Sequence, residues 1–264
     1  MIMKRLFATL IAGIAFAASS HAVVLDWTNA AVVWTAGAQT GSFDVDATNP
    51  GNDITVTTAL VGSATYAASS PQNIVNDGST IGSDDAKRLH IRTSAGFVNT
   101  TSGISITINF NYAAGVTNVS FSLIDVDATT TTWIDRFSAI TATPVTGPAN
   151  SVALTATATS PPNITIQNNG TTSLVFFGNT ATGNITDHTG DVTLTTGATP
   201  ITSLTLFWNN PGPNFGGQVI GLSNISFTPV PVPEVGSSLG SLAICGGVAV
   251  LWRRRRPVAA IAQA

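Results

Sequence analysis

Short runs along this chain alternate apolar residues with polar ones, mostly hydroxyl-bearing. Ile54-Thr55-Val56-Thr57, Ile104-Ser105-Ile106-Thr107-Ile108-Asn109-Phe110, Val119-Ser120-Phe121-Ser122-Leu123 and Leu204-Thr205-Leu206-Phe207-Trp208 each put every second side chain on one face. That period of two is the mark of a half-buried β-strand. Residues 220–227 repeat it with a break at Ser223-Asn224. Further strands are predicted over residues 23–27, 43–45, 89–92, 137–142, 152–156, 164–167, 174–177 and 192–195, each bounded by Gly, Pro, Asn or Asp. No comparable helical spacing runs through this part of the chain. More than ten short strands with turn signals between them predict an all-β fold, a two-sheet β-sandwich of jelly-roll type. Two long polar connections, residues 64–86 and 178–190, interrupt the pattern, and connections of that length in a compact domain are usually functional or mobile.

The two ends of the chain read differently. Lys4 and Arg5 precede an apolar run over residues 6–18, and Ser20-His21-Ala22 offers small residues at the cleavage positions. Residues 1–22 therefore read as a secretory signal peptide. Near the other end, residues 229–234 form a Pro-rich spacer, stiff and extended. Residues 235–252 carry no charge and would span about 27 Å as a helix, just short of a hydrocarbon core of about 30 Å. Trp252 and then Arg253, Arg254, Arg255 and Arg256 follow, so the positive-inside rule puts the tail, 253–264, in the cytoplasm and residues 23–228 outside as the ectodomain. The predicted course is export, a membrane-anchored precursor, and then the cell surface or extracellular matrix.

Removing these segments changes the charge. The ectodomain keeps four basic residues, Lys87, Arg88, Arg92 and Arg136, against twelve aspartates, a formal charge of −8 where the whole chain has −3. Without a basic patch to neutralise phosphates, it is not a nucleic-acid binder. Only 9% of the chain is charged, against a usual value of about 25%. Thr, Ser, Asn and Gly take the surface positions instead. The single cysteine, Cys245, lies in the membrane segment, which leaves the ectodomain without disulfides, a thiol nucleophile or a Cys-based zinc site.

Asp125-Val126-Asp127, with Asp135 eight residues on, is the densest polar constellation. On an extended strand Asp125 and Asp127 share a side, and gathered carboxylates suit a hard cation such as Ca²⁺; a solvated acidic loop is the other reading. Asp44-Val45-Asp46 and Asp84-Asp85 are lesser pairs of the same kind. Trp133, in a polar loop beside these aspartates, is a candidate sugar-stacking ring, and Asn209 and Asn210 open a second Asn-rich loop after Trp208. Trp27 and Trp208, in strand contexts, read as core.

Enzymatic chemistry has little to draw on. The ectodomain has no Glu, so a glycosidase would need two aspartates, and only His90 and His188 can act as near-neutral bases. The expectation is a non-enzymatic domain that binds extracellular polysaccharide or serves a structural matrix role. A secreted hydrolase using Asp and His is the alternative. An ice-binding protein is a further one, weakened because Thr55/Thr57, Thr155/Thr157/Thr159 and Thr193/Thr195 follow no fixed period.

Val232-Pro233-Glu234, a short apolar helix and a terminal arginine cluster together resemble the PEP-CTERM sorting signal of Gram-negative bacteria. Val235 stands where that motif usually has a second proline. The resemblance implies processing by an exosortase, a membrane-embedded enzyme. By it, Val232, Pro233 and Glu234 are the processing motif, and Arg253, Arg254, Arg255 and Arg256 the retention signal.

Overall fold

The computed structural model describes residues 21–74, 88–95, 100–129, 133–180, 188–212 and 217–232. Two compact units are distinguished: Ser20–Val230, and the two chain ends, Met1–Ser19 with Pro231–Ala264. Of the second unit only Pro231 and Val232 are described; Val232 is exposed. Residues 1–20 of the expected signal peptide, Pro233 and Glu234 of the expected sorting motif, the expected membrane span 235–252, Arg253 to Arg256, and the Asp84-Asp85 pair lie outside the described residues. Among the described residues no helix is long and apolar enough to cross a membrane.

The first unit is all-β, as the alternation requires. Its strands are β1 (Val23–Leu25), β2 (Thr40–Phe43), β3 (Ile54–Val61), β4 (Thr65–Tyr66), β5 (Gln72–Ile74), β6 (Arg88–Ala95), β7 (Gly103–Phe110) and β8 (Val116–Ile124). They continue as β9 (Arg136–Pro144), β10 (Leu154–Ala158), β11 (Ile164–Gln167), β12 (Val175–Gly178), β13 (Val192–Thr196), β14 (Ile201–Asn209), β15 (Val219–Leu222) and β16 (Ile225–Pro229). One 3₁₀ turn, Pro161–Asn163, precedes β11. The short β4 and β5 fall in a connection that the sequence pattern leaves unstructured, because two or three residues carry too little periodicity to register.

Every pairing between strands is antiparallel, and together they make one curled sheet. The pairs form two groups. In one, the strands run in the order β2-β3-β7-β14-β9-β12-β11. In the other, β8 pairs with β13 on one side and with β15 and β16 on the other, and these lead on to β10, β6 and β1. Among the described residues the groups meet through one ladder pair, Ile201 with Val116.

Packing follows from the alternation. On β7, Ile104, Ile106, Ile108 and Phe110 are buried while Ser105, Thr107 and Asn109 stand half-exposed on the opposite face. The inward side chains of both groups form one continuous core. Aromatic contacts within it include Trp27 edge-on to Phe43 at 5.5 Å, Phe110 against Phe227 at 5.1 Å, and Phe137 stacked between Phe176 and Trp208. Trp27 and Trp208 are fully buried core residues; Trp208 lies on β14, whereas β1 ends at Leu25 and Trp27 sits in the turn after it. With no disulfide available, this burial and the sheet hydrogen bonds stabilise the unit.

Candidate functional site

The polar residues singled out in the sequence gather at the end of the sheet where β8 finishes and β9 begins. β8 stops at Ile124 because Asp125 takes a left-handed conformation, φ 67°. The turn breaks the period of two, so Asp125 and Asp127 are not neighbours on an extended strand. Asp125 is half-buried and Asp127 buried. The chain then folds back on itself. Thr129 N–H donates to Trp133 O at 2.9 Å and Asp135 N–H to Asp127 O at 2.8 Å, which brings Asp135 beside Asp127.

Asp135 is 1% exposed and points inward. Its Oδ1 accepts a hydrogen bond from Trp208 Nε1–H at 2.9 Å, and its Oδ2 a long one from Asp127 N–H at 3.4 Å. Burial, and then the charge of Asp127 with a lesser share from Asp125, push its carboxyl well above the usual range, although the Trp208 bond opposes the shift. The arrangement therefore suits a neutral carboxyl that anchors the Trp208–Phe137–Phe176 stack. Among the described residues no three His, Cys, Asp or Glu side chains are grouped so as to hold a metal ion. Glycine at 178 matters here: a Cβ there would collide with the Asp127 main chain, and Gly178 N–H donates to Asp135 O at 3.1 Å. This close approach packs β12 against the turn.

A second polar group flanks the same turn. His188, also left-handed at φ 54°, has Nδ1 2.9 Å from Asp191 Oδ2. Burial raises the pKa of Asp191, opposed by His188 and by the positive charge of Arg88. Val126 N–H donates to Gly190 O at 2.9 Å, joining this loop to the Asp125–Asp127 segment. Arg88 and His90 are both 1% exposed on β6. A Cβ on Gly221 would lie 2.9 Å from Arg88 Cδ, so the glycine makes room for that side chain.

On the outer face beside the turn lies a groove of about 230 Å³ lined by Ile134, Arg136, Gln167, Phe177 and Pro211. Arg136 begins β9 and faces Phe177 of β12 directly in register. Phe176 and Phe137, one residue away on each strand, point inward, so the period of two sets Phe177 and Arg136 outward. Asn210 shapes the groove's wall. It is fully buried, and its Oδ1 accepts hydrogen bonds from Ile134 N–H at 2.9 Å and Gly212 N–H at 2.8 Å. Asn209, 1% exposed, donates through Nδ2 to Thr100 O. Asn210 thus fixes the loop carrying Pro211, and Asn209 ties the end of β14 to Thr100, instead of facing solvent. Trp133 is half-buried next to Ile134, with its main chain bonded to Thr129.

The sequence motifs point to this corner but not to the residues that line the groove. The available signals are Phe177, an aromatic at an outward strand position, and Arg136, one of four basic residues between positions 23 and 228.

Earlier in the chain, Asp46 and Asp53 organise a loop of their own. Asp53 is completely buried; its Oδ2 accepts from Val45 N–H and Asp46 N–H, each at 2.6 Å, and its Oδ1 from Asn49 Nδ2 at 2.7 Å. Burial alone would raise Asp46, but bonds from the Thr48 hydroxyl and amide and the Tyr112 hydroxyl hold its carboxyl below the usual range. These carboxylates are satisfied by protein donors, which is a structural role for the Asp44-Asp46 pair's second member.

Comparison of the chain with protein families, with curated proteins and with solved structures finds no match.

Proposed function

We propose that this chain is an exported, surface-sorted protein whose all-β unit, a two-sheet jelly-roll-like sandwich, binds neutral extracellular polysaccharide through the Arg136–Phe177 groove. One observation carries the binding reading: an outward aromatic ring and two apolar walls stand beside Arg136 and Gln167 in an open depression. A sugar ring presents an apolar face that stacks on an aromatic and hydroxyls that bond to guanidinium and amide groups. The groove's lining is held in place, because Asn210 accepts from the Ile134 main chain and the Trp208–Phe137–Phe176 stack packs behind β9, β12 and β14. Export, processing by an exosortase-like enzyme and attachment through residues 235–252 rest on the two terminal signals in the sequence. Retention of the full chain on immobilised neutral polysaccharides tests the reading. Phe177→Ala and Arg136→Ala should each abolish retention at unchanged melting temperature; retention equal to wild type in both variants rules the groove out.

The competing reading is a secreted hydrolase, favoured by the 2.9 Å contact between His188 and Asp191, in which the carboxylate orients the imidazole as a general base would require. It demands release of reducing sugar ends by the wild-type chain and its loss in His188→Ala. Retention without such release leaves the binding reading.

A further inference from the structure

The threonines that look scattered in sequence are brought into line by the strand register. Thr40, Thr57, Thr107, Thr205 and Thr141 stand directly opposite one another across β2, β3, β7, β14 and β9. Next to them runs a second row, Ser42, Thr55, Asn109, Ser203 and Thr143. All ten side chains are neutral, and none is fully buried. Six of the hydroxyls pair with one another: Thr40 with Thr57 at 3.3 Å, Ser42 with Thr55 at 3.0 Å and Thr107 with Thr205 at 3.2 Å. On the other side of the threonine row come Ser105, Phe207 and Ser138, and then Arg136 with Phe177. The hydroxyl rows and the groove therefore share one outer face.

Geometry decides what such a face fits. Neighbouring strands are about 4.8 Å apart, so the five-strand row repeats over about 19 Å. Adjacent strands rotate by about 20–25°, which turns the row through about 80–100° from end to end. A flat crystal plane such as ice meets only part of a row turned so far, whereas a flexible chain can follow it. An extended polysaccharide advances by about one strand spacing per sugar, and its hydroxyls both donate and accept, as do those of threonine. The rows carry no charge, which selects a neutral chain over an acidic one.

We infer that the groove, Phe207 and the threonine row form one continuous track that holds a neutral polysaccharide along several consecutive sugars, not by its end. The inference rests on the groove as a glycan site and adds the length of chain it takes. The test uses the full chain and a neutral polysaccharide that retains it, together with short and long oligosaccharides cut from that polymer. Wild type should bind the long oligosaccharide more tightly than the short one. Replacing Thr57, Thr107 and Thr205 together by valine keeps shape and β-branching while removing three hydroxyls. At about 0.5 kcal/mol for each lost hydrogen bond, affinity for the long oligosaccharide should fall about tenfold, with short-oligosaccharide binding unchanged. Phe177→Ala should weaken both. Valine at Thr155, Thr157 and Thr195, on the face formed by β10 and β13, is the control and should change neither. Equal wild-type affinity for both lengths, an unaffected triple variant, or an equal loss in the control overturns the track while leaving the groove standing. Failure of every neutral polysaccharide to retain wild type removes both.

Discussion

Asp135→Asn separates a structural carboxyl from a metal ligand or a catalytic acid. In the folded unit the carboxyl is buried among other aspartates and its pKa lies well above the usual value, whereas in the unfolded chain it titrates near 3.9. Below that unfolded pKa the group is neutral in both states and its native interactions contribute fully. As pH rises from there toward the folded pKa, the native state alone holds the proton, and stability falls by about 1.4 kcal/mol per pH unit. Above the folded pKa the loss is complete and no longer grows. Asparagine cannot ionise, keeps an oxygen to accept Trp208 Nε1–H, and forfeits only the long contact from Asp127 N–H, a pH-independent cost of about 0.5–1.5 kcal/mol. For a unit of this size 1 kcal/mol moves Tm by about 2–4 °C. The difference in Tm between Asp135→Asn and wild type should therefore climb by about 3–6 °C per pH unit upward from pH ~4 and then level off. Differential scanning calorimetry of both proteins across pH measures it. A difference that stays flat with pH, or one that falls as pH rises, refutes the neutral-carboxyl account, and a calcium-dependent fall would mark Asp135 as a cation ligand.

Other outcomes follow from the same structure. Asp53→Ala strips acceptors from two main-chain amides and Asn49, and at about 1–3 kcal/mol for each unsatisfied amide should cost about 2–6 kcal/mol in denaturant unfolding; a loss under about 1 kcal/mol contradicts it. Chelation by EGTA should leave the wild-type Tm unchanged if Asp135 is neutral, whereas a drop reversed by added Ca²⁺ would restore calcium at Asp125 and Asp127. Gly178→Ala forces a Cβ into the Asp127 main chain, so it should lower Tm and also weaken polysaccharide retention through Phe177. Serine in place of Arg253, Arg254, Arg255 and Arg256 should disturb membrane retention or processing, read by fractionation; unchanged localisation counts against the sorting reading.

Much of the strand content was legible because one face of each strand is buried. Burial forces alternation, and alternation is local, so β3, β7, β8 and β14 announce themselves in a handful of residues. The polar site was only half legible. The motif Asp125-Val126-Asp127 marks the right corner, but its spacing predicts an extended strand, and the left-handed turn at Asp125 is invisible in a string of residue types. Asn209 and Asn210 read from the sequence as ligand candidates opening an Asn-rich loop, yet both are buried: Asn210 satisfies main-chain amides of Ile134 and Gly212, and Asn209 donates to the Thr100 carbonyl.

By itself, then, the sequence determined an all-β unit with a cysteine-free core, an acidic stretch between residues 23 and 228 and hydroxyls on the outward faces. Each of those depends on composition or on near neighbours in the chain. Only the tertiary structure decided that Arg136 would meet Phe177, that Asp135 would turn toward Trp208, and that threonines as far apart as Thr40 and Thr205 would stand in one row. Strand pairing sets these contacts, and pairing is fixed by the register of residues distant in sequence, which no local period records.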